Sequence, residues 1–245
     1  RRVAVKTLLP KHAGRPDLAA QFDREANITA SLPHPGVPPV HARGVLADGR
    51  PFLAMKLIHG RTLADLLAGR ALTRPELLRA FEQVCQAVGF AHARGIIHRD
   101  LKPSNIMVGE FGEVQVMDWG LAKAGVRGPE AGEGGERSAA TRTGDRETAT
   151  GSVKGTPAFM PPEQARGEWD AVDARSDVFG LGAVLCCVLT GLPPFTGGSS
   201  ADVVWQAATG DVTAAAARLD ACGADAELVA VCKRCLSPDP AARPE

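Results

Sequence analysis

The sequence is dominated by one block, His98-Arg99-Asp100-Leu101-Lys102-Pro103-Ser104-Asn105, after which Asp118-Trp119-Gly120 follows. Pro103 and the small polar residues beside it predict a loop. Val114-Gln115-Val116-Met117 predicts a short strand that ends at Asp118. Two acidic side chains, a lysine and an asparagine are therefore expected to meet where a loop and a strand end come together. Such a set of groups suits metal-assisted phosphoryl transfer.

Each of these side chains has a chemical task that it can perform. Asp100 can orient and deprotonate a hydroxyl group, and Lys102 can neutralise charge on a phosphoryl group in transfer. Asn105 and Asp118 offer the hard oxygen ligands that Mg²⁺ prefers. A solitary His-Arg-Asp tripeptide would mean little, but here the order and spacing of the whole block resemble the catalytic loop and metal-binding triplet of eukaryotic-type protein kinases.

Composition limits the remaining classes of protein. The chain has 245 residues, enough for one large domain or for two lobes that share a cleft. Hydrophobic residues make up 44% and charged residues 23%, and the net charge is zero, so nothing indicates binding to nucleic acid or to a membrane surface. No apolar run has the length of a membrane span, and no signal peptide opens the sequence.

The cysteines favour a reducing compartment. Five of the six lie in apolar, helix-like sequence, which is typical of reduced core thiols, so we expect a cytoplasmic location, with a membrane anchor outside this sequence left open. Cys232-Lys233-Arg234-Cys235 forms a CxxC pair, but no second pair or histidine completes a zinc site. We expect neither a metal nor a redox function there.

The beginning of the chain predicts a strand followed by a helix. Residues 2–9 alternate enough for a strand, and residues 16–32 carry apolar positions at helical spacing. Taken alone, Lys6 is a strand-edge lysine that faces water, and Glu25 is a solvated helical glutamate. By resemblance, Lys6 lies on the third strand of a kinase N-lobe and holds the α- and β-phosphates of ATP, with Glu25 as its ion-pair partner.

A Gly-x-Gly-x-x-Gly loop, which the family places over the ATP phosphates, is not found in this sequence. The family has that loop upstream of the lysine strand, and this chain starts inside the lysine strand. We expect either that the chain is a fragment or that nucleotide is not held in the usual way, and the abrupt start favours a fragment.

Residues 37–58 predict a hairpin with a turn at Asp48-Gly49-Arg50, followed by a linker. In the kinase resemblance this linker is the hinge, and the adenine pocket is formed by apolar and backbone groups. Its expected members are Ala4, Met55, Lys56, Ile58 and Met107. For Met55 and Met107, packing in a hydrophobic core is the simpler interpretation.

The second half of the chain predicts mainly helices. Residues 73–94 carry one apolar stripe, and residues 177–190 are apolar enough for a buried helix. By resemblance, Asp177 starts the central C-lobe helix and ties back to the catalytic loop. Arg243 is expected to pair with Glu163 in a buried clamp.

The stretch 124–152 is rich in Gly, Glu, Arg, Ser and Thr and predicts a mobile insert. In position it belongs to an activation segment that covers residues 118–163. One interpretation is a solvated linker. The other is that Thr148, Thr150 or Ser152 is phosphorylated and docks on Arg99.

Lys154 to Glu163 resembles the substrate-docking loop and the end of a kinase activation segment, with Pro161 in place of the usual alanine. In Ser/Thr kinases the threonine of this Gly-Thr pair bonds near the catalytic aspartate and lysine. Thr156 together with Lys102 therefore indicates serine or threonine as the phosphate acceptor. Trp119 replaces the family's phenylalanine and is expected to preserve a large apolar plug beside Asp118.

These observations predict an α+β, two-lobed protein kinase-like fold. Residues 1–58 would form an incomplete, β-rich N-lobe with one helix and the hinge, and residues 59–245 a mainly helical C-lobe. The resemblance, which extends to bacterial eukaryotic-like Ser/Thr kinases, implies ATP and Mg²⁺ as cofactors and proteins with serine or threonine as substrates. A pseudokinase scaffold without phosphoryl transfer and a small-molecule phosphotransferase remain as alternatives.

Overall fold

The computed structural model describes residues 2–124 and 156–245. The strands are β1 (Val3–Thr7), β2 (Val40–Val45), β3 (Pro51–Lys56), β4 (Gly60–Thr62), β5 (Ile96–Ile97), β6 (Ile106–Gly109), β7 (Val114–Val116) and β8 (Lys123–Ala124). The helices are α1 (Pro16–Ala30), α2 (Leu63–Ala68), α3 (Arg74–His92), α4 (Pro162–Ala165), α5 (Ala174–Thr190), α6 (Ser200–Thr209), α7 (Thr213–Ala221) and α8 (Ala226–Cys235). The predicted two-lobed α+β fold, with a small antiparallel sheet in the N-lobe and a helical C-lobe, is confirmed.

The N-lobe is a three-stranded antiparallel sheet in the order β1-β3-β2, with α1 packed against it. Phe22 and Ala26 of α1 form a small core with Leu53 and Met55 of β3. This core fixes the helix relative to the sheet. Because Lys6 lies opposite Leu53 in the β1–β3 register, the same packing sets the position of Lys6 relative to α1.

Residues 35–37, between α1 and β2, pack on the C-lobe. Val37 is buried in the C-lobe core, and the Gly36 carbonyl accepts a hydrogen bond from the Val116 N–H at 2.8 Å. A Cβ atom at Gly36 would lie 2.8 Å from the Cβ of Ala87 on α3, closer than two carbon atoms can approach. The absence of a side chain at Gly36 therefore permits the chain to lie directly on α3.

The C-lobe is built around α5, which is buried along most of its length. Asp173 caps its N-terminus in a reciprocal capping box with Ser176, and Gly191, at φ +77°, ends it in the left-handed region. Phe179 stacks on Phe195 with ring centroids 5.9 Å apart. The helix thus forms a rigid centre on which the site-bearing loops rest.

Two glycines on helices provide a matched test of this packing. A Cβ atom at Gly182 of α5 would lie 2.6 Å from the Cβ of Cys235 on α8, so we expect Gly182→Ala to destabilise the fold by about 1–3 kcal/mol. Gly89 of α3 has no atom within 4 Å of such a Cβ, and Gly89→Ala should stabilise by about 1 kcal/mol because alanine favours the helix. Urea unfolding of both variants measures the difference. Equal effects would contradict the close packing of α5 on α8.

Several elements were not predicted. Helices α6 and α7 and the short strands β4, β5, β6 and β8 lie where no element was expected. The lobe boundary at residue 58 stays a prediction. The phosphorylation sites expected at Thr148, Thr150 and Ser152 lie outside the described residues.

The six cysteines are all free, and four of them are buried. Burial raises the pKa of the Cys85 thiol and of the Cys187 thiol to about 12, so both thiols stay protonated at neutral pH.

None of the helices in residues 2–124 and 156–245 combines the length and the hydropathy needed to cross a membrane.

Candidate active site

The loop that begins at His98 is held by one buried carboxylate. Asp177, at the start of α5, is 1% exposed and accepts hydrogen bonds from the His98 N–H at 2.7 Å and the Arg99 N–H at 2.8 Å. His92, at the end of α3, lies with Nε2 2.8 Å from the same carboxylate. The contact expected between Asp177 and the loop is therefore present, whereas the participation of His92 was not foreseen.

His98 braces the loop from inside. Its Nδ1 accepts the Asp100 N–H at 3.2 Å, and its Nε2 lies 3.0 Å from the Met117 carbonyl, to which it donates. The Trp119 ring packs on His98 with centroids 4.6 Å apart, and its Nε1–H donates to the Val116 carbonyl at 3.1 Å. Both ring nitrogens of His98 are occupied by these bonds, so His98 is not placed for proton transfer to a substrate.

Three further predicted site residues are joined to Asp100 by hydrogen bonds. The Lys102 Nζ donates to Asp100 Oδ2 at 2.7 Å and to Thr156 Oγ1 at 2.8 Å. The Asn105 Nδ2 donates to the Asp100 carbonyl at 2.9 Å and to Asp100 Oδ2 at 3.1 Å. Residues from the loop and from the segment before α4 therefore form one hydrogen-bonded cluster, the Asp100 cluster.

A second cluster, the Lys6 cluster, joins the two lobes. The Lys6 ammonium forms an ion pair with Glu25 of α1 and lies 3.0 Å from Asp118 Oδ1. Burial lowers the Lys6 pKa, but hydrogen bonds and the negative charges of Glu25 and Asp118 outweigh it, so the pKa lies above its ordinary value of 10.5. Lys6 is therefore a fixed cation at neutral pH. Asp118 has φ +61°, an uncommon backbone conformation for a residue with a side chain.

Members of both clusters line one cleft of about 330 Å³: Asp100, Lys102 and Thr156 from the first, and Glu25 and Asp118 from the second. Its lining includes two residues that were not predicted. Gln21 lies one helical turn before Glu25 on α1, and this four-residue spacing would have indicated that the two side chains share a face. Gly120 lies so close to Glu25 that a Cβ atom there would be 2.9 Å from Glu25 Oε2. The sequence gives no direct sign of that approach.

Four of the predicted adenine-pocket residues lie on strands β1, β3 and β6, and Ile58 lies in the linker after β3. Ala4 lies opposite Met55 in the β1–β3 register, and Met55 packs in the N-lobe core, as the simpler interpretation expected. Met107 is on β6 and half-buried. Lys56 ends β3, with its N–H donating to the Pro39 carbonyl at 3.0 Å, and Ile58 follows it. Their contacts with a nucleotide stay a prediction.

The expected magnesium ligands fit a cation by their chemistry. The amide NH₂ of Asn105 is engaged by Asp100, which leaves the amide oxygen as the ligand atom that Asn105 can offer. The side chain of Asp118 is 51% exposed and lines the cleft. A carboxylate that lines a polar cleft and an amide oxygen on the residue that bonds Asp100 are the hard donors that Mg²⁺ takes beside phosphate oxygens and water.

The end of the segment after Thr156 is fixed by the expected clamp. The Arg243 guanidinium bonds both Glu163 carboxylate oxygens, at 2.7 and 2.9 Å, and Ser176 Oγ donates to the same carboxylate at 2.7 Å. The side chains of Arg243 and Glu163 are 0% and 2% exposed. Next to Glu163, Gln164 donates to the Arg99 carbonyl at 2.9 Å, a contact that the sequence analysis did not include.

A family model described as protein kinase domain matches residues 1–245. The chain is 39% identical over 244 residues to the serine/threonine-protein kinase PknB of Mycobacterium tuberculosis (strain ATCC 25618 / H37Rv), an alignment that covers 98% of this chain and 36% of the relative. It is 41% identical over 212 residues to PknB of Mycolicibacterium smegmatis, covering 84% of this chain and 31% of that protein. A probable serine/threonine-protein kinase of Streptomyces coelicolor is 39% identical over 210 residues, covering 84% and 29%. The chain thus spans about a third of the length of these curated relatives.

Proposed function

Because this chain belongs to the protein kinase domain family, we propose that it transfers the γ-phosphoryl group of ATP to a serine or threonine hydroxyl of a protein. The observation that carries the proposal is the Lys102 ammonium, which bridges Asp100 Oδ2 and Thr156 Oγ1 at 2.7 and 2.8 Å. This bridge puts an acceptor of protons, a cation and the substrate-docking segment within one hydrogen-bonded unit.

Asp100 acts as the base in this proposal. One carboxylate oxygen is held by Lys102 and Asn105, which fixes the orientation of the whole group toward the cleft. An acceptor hydroxyl in the cleft hydrogen-bonds to the carboxylate and gives up its proton to it as the hydroxyl oxygen attacks the γ-phosphorus. The bond from that phosphorus to the β–γ bridging oxygen breaks, and ADP leaves. Lys102 stabilises the negative charge of the transferring group at the same time.

Lys6 holds the nucleotide phosphates from the other side of the cleft. Glu25 and Asp118 both face its ammonium, so Lys6 is a fixed positive charge that needs no reorientation when phosphates arrive. Asn105 and Asp118 would hold Mg²⁺, which when bound supplies charge neutralisation to the phosphate oxygens. The chain contributes position and electrostatics, and the chemistry is carried by the nucleotide.

Serine and threonine are the proposed acceptors because of Thr156. Its hydroxyl accepts a hydrogen bond from Lys102, which also bonds the proposed base Asp100. By resemblance, this arrangement is that of kinases whose acceptors are serine or threonine. The bacterial relatives are named serine/threonine-protein kinases, which supports the same assignment. A role in bacterial signalling is part of the proposal. We propose that the partners of the whole protein are ATP and substrate proteins that carry the serine or threonine acceptor.

The decisive experiment measures incorporation of the γ-phosphate of ATP into a generic Ser/Thr acceptor protein. The full natural protein is assayed with and without Mg²⁺, and the phosphorylated amino acids in the product are identified. We expect phosphoserine or phosphothreonine that requires Mg²⁺ and disappears in Asp100→Asn, which also excludes a contaminating kinase. A folded protein that binds ATP without any incorporation would favour the scaffold alternative.

Phosphopeptide mapping of the same samples tests the proposed sites at Thr148, Thr150 and Ser152. Phosphorylation at one of them would supply a doubly charged anion for docking on Arg99. Active protein in which all three hydroxyls are unmodified would remove this part of the proposal.

A further inference from the structure

Arg99, the residue directly before Asp100, has an uncommon backbone conformation. Its φ is +68°, in the left-handed region that residues with side chains seldom adopt. Such a conformation persists only where the surroundings enforce it. The contacts that enforce it therefore decide where Asp100 points.

Both polar backbone groups of Arg99 are held by side chains from other elements. Asp177 of α5 accepts the Arg99 N–H at 2.8 Å, and Gln164 of α4 donates to the Arg99 carbonyl at 2.9 Å. Asp177 is 1% exposed and Gln164 is 3% exposed. The carbonyl is half of the peptide group whose other half is the N–H of Asp100, so the Gln164 amide fixes the plane of the peptide bond that leads into Asp100.

Gln164 is itself rigidly placed. It follows Glu163, whose carboxylate is locked by Arg243 and Ser176, and its own N–H bonds the Pro161 carbonyl at 3.1 Å. A cavity of only about 10 Å³, no larger than one water molecule, lies between Gln164, Asp177 and the loop. The side chain has little room to move away from Arg99.

We propose that Gln164 is a positioning residue for Asp100: its amide holds the Arg99 carbonyl and so transmits the placement of α4 to the proposed base. The inference rests on the proposed kinase function for its catalytic readout. It goes beyond that function because it makes the end of the activation segment a direct determinant of the orientation of Asp100.

The test compares Gln164→Leu with wild type in steady-state transfer to a generic acceptor. Leucine keeps the volume approximately and removes the donor. We expect kcat to fall roughly 10- to 100-fold, because small misplacements of a catalytic group have effects of this size, while the KM for ATP stays within about twofold. Hydrogen exchange at the Arg99 and Asp100 amides should become faster in Gln164→Leu.

Gln115→Leu is the matched control. Gln115 is also buried, at 4% exposure, and its amide also donates to a backbone carbonyl, that of Pro35 at 3.3 Å. It lies on β7 and its amide bonds Pro35 instead of Arg99, so the substitution removes a comparable hydrogen bond and leaves the one to the peptide before Asp100 in place. We expect its kcat to stay within about twofold of wild type and the exchange at Arg99 to be unchanged.

The outcomes separate the two proposals. An unchanged kcat in Gln164→Leu, or an equal fall of kcat in both variants, overturns the positioning role. If wild type itself transfers no phosphate, the kinase proposal fails and the exchange measurement alone decides. Exchange at Arg99 and Asp100 that is faster in Gln164→Leu but not in Gln115→Leu supports the hold of Gln164 on the Arg99 carbonyl. Equal exchange in the two variants overturns it.

Discussion

Asp100→Asn is expected to lower kcat for phosphoryl transfer by roughly 10³-fold, within the range that a positioned general base contributes. The amide has nearly the size of the carboxylate but cannot accept a proton from an acceptor hydroxyl. The KM for ATP should change by no more than about threefold, because the Lys6 cluster, which we propose holds the nucleotide phosphates, does not include Asp100. Initial rates over a range of ATP and acceptor concentrations measure both constants.

Asp220→Asn serves as the control for this variant. Asp220 is on α7, its side chain is 65% exposed, and it pairs with Lys233 on the surface at 2.6 Å. The same chemical change there should leave kcat unaltered and cost less than about 1 kcal/mol of stability. Retention of more than about a tenth of the wild-type kcat in Asp100→Asn would remove Asp100 as the base.

Glu163→Met is expected to destabilise the fold by about 3–5 kcal/mol, because it leaves the Arg243 guanidinium buried without its counter-charge. A matched pair on the surface provides the control. Arg166 bonds Glu168 in the same bidentate manner, at 2.9 and 3.1 Å, but the two side chains are 41% and 49% exposed. Glu168→Met should cost less than about 1 kcal/mol. Urea unfolding gives both free energies, and comparable values would contradict the importance of burial.

The clamp also predicts how stability depends on pH. Burial raises the Glu163 pKa, but hydrogen bonds from Arg243 and Ser176 and the charge of Arg243 outweigh it, so the pKa in the folded protein lies below its ordinary value of 4.5. The corresponding stability is complete above pH 4.5 and is lost as the pH falls through the lower pKa of the folded state. Below pH 4.5 the free energy of unfolding should therefore fall less steeply in Glu163→Met than in wild type.

The sequence predicted the parts of the site whose chemistry is specific to a residue type. Asp100, Lys102 and Asn105 are identifiable because they stand close together in one loop, whereas the pairing of Lys6 with Glu25 was expected only from the resemblance to protein kinases. Such patterns also predicted β1, α1, α3 and α5. The local preferences of these segments agree with their conformation in the folded protein, so the segments could be predicted from the sequence alone.

The contacts that hold the site could not be predicted in the same way. Gln164 reaches Arg99 across 65 positions of sequence, and glutamine carries no signal that it will bond a backbone carbonyl there. Gly120 was part of a recognised triplet, but its close approach to Glu25 depends on how α1 packs. Helices α6 and α7 have less distinctive apolar patterns than α5, which explains why they were missed.

The packing of Trp119 on His98 gives the site an optical reporter. The chain has three tryptophans and no tyrosine, so its near-ultraviolet absorption and emission come almost entirely from three indole rings. Trp119 is 1% exposed and next to Asp118, whereas Trp205 is 61% exposed. A water-soluble quencher will therefore quench the fluorescence of Trp205 and leave that of Trp119 largely unquenched. Trp169 is half-buried, so the emission most resistant to quenching is that of Trp119, which packs on His98, and its wavelength follows the environment beside Asp118 without any attached dye.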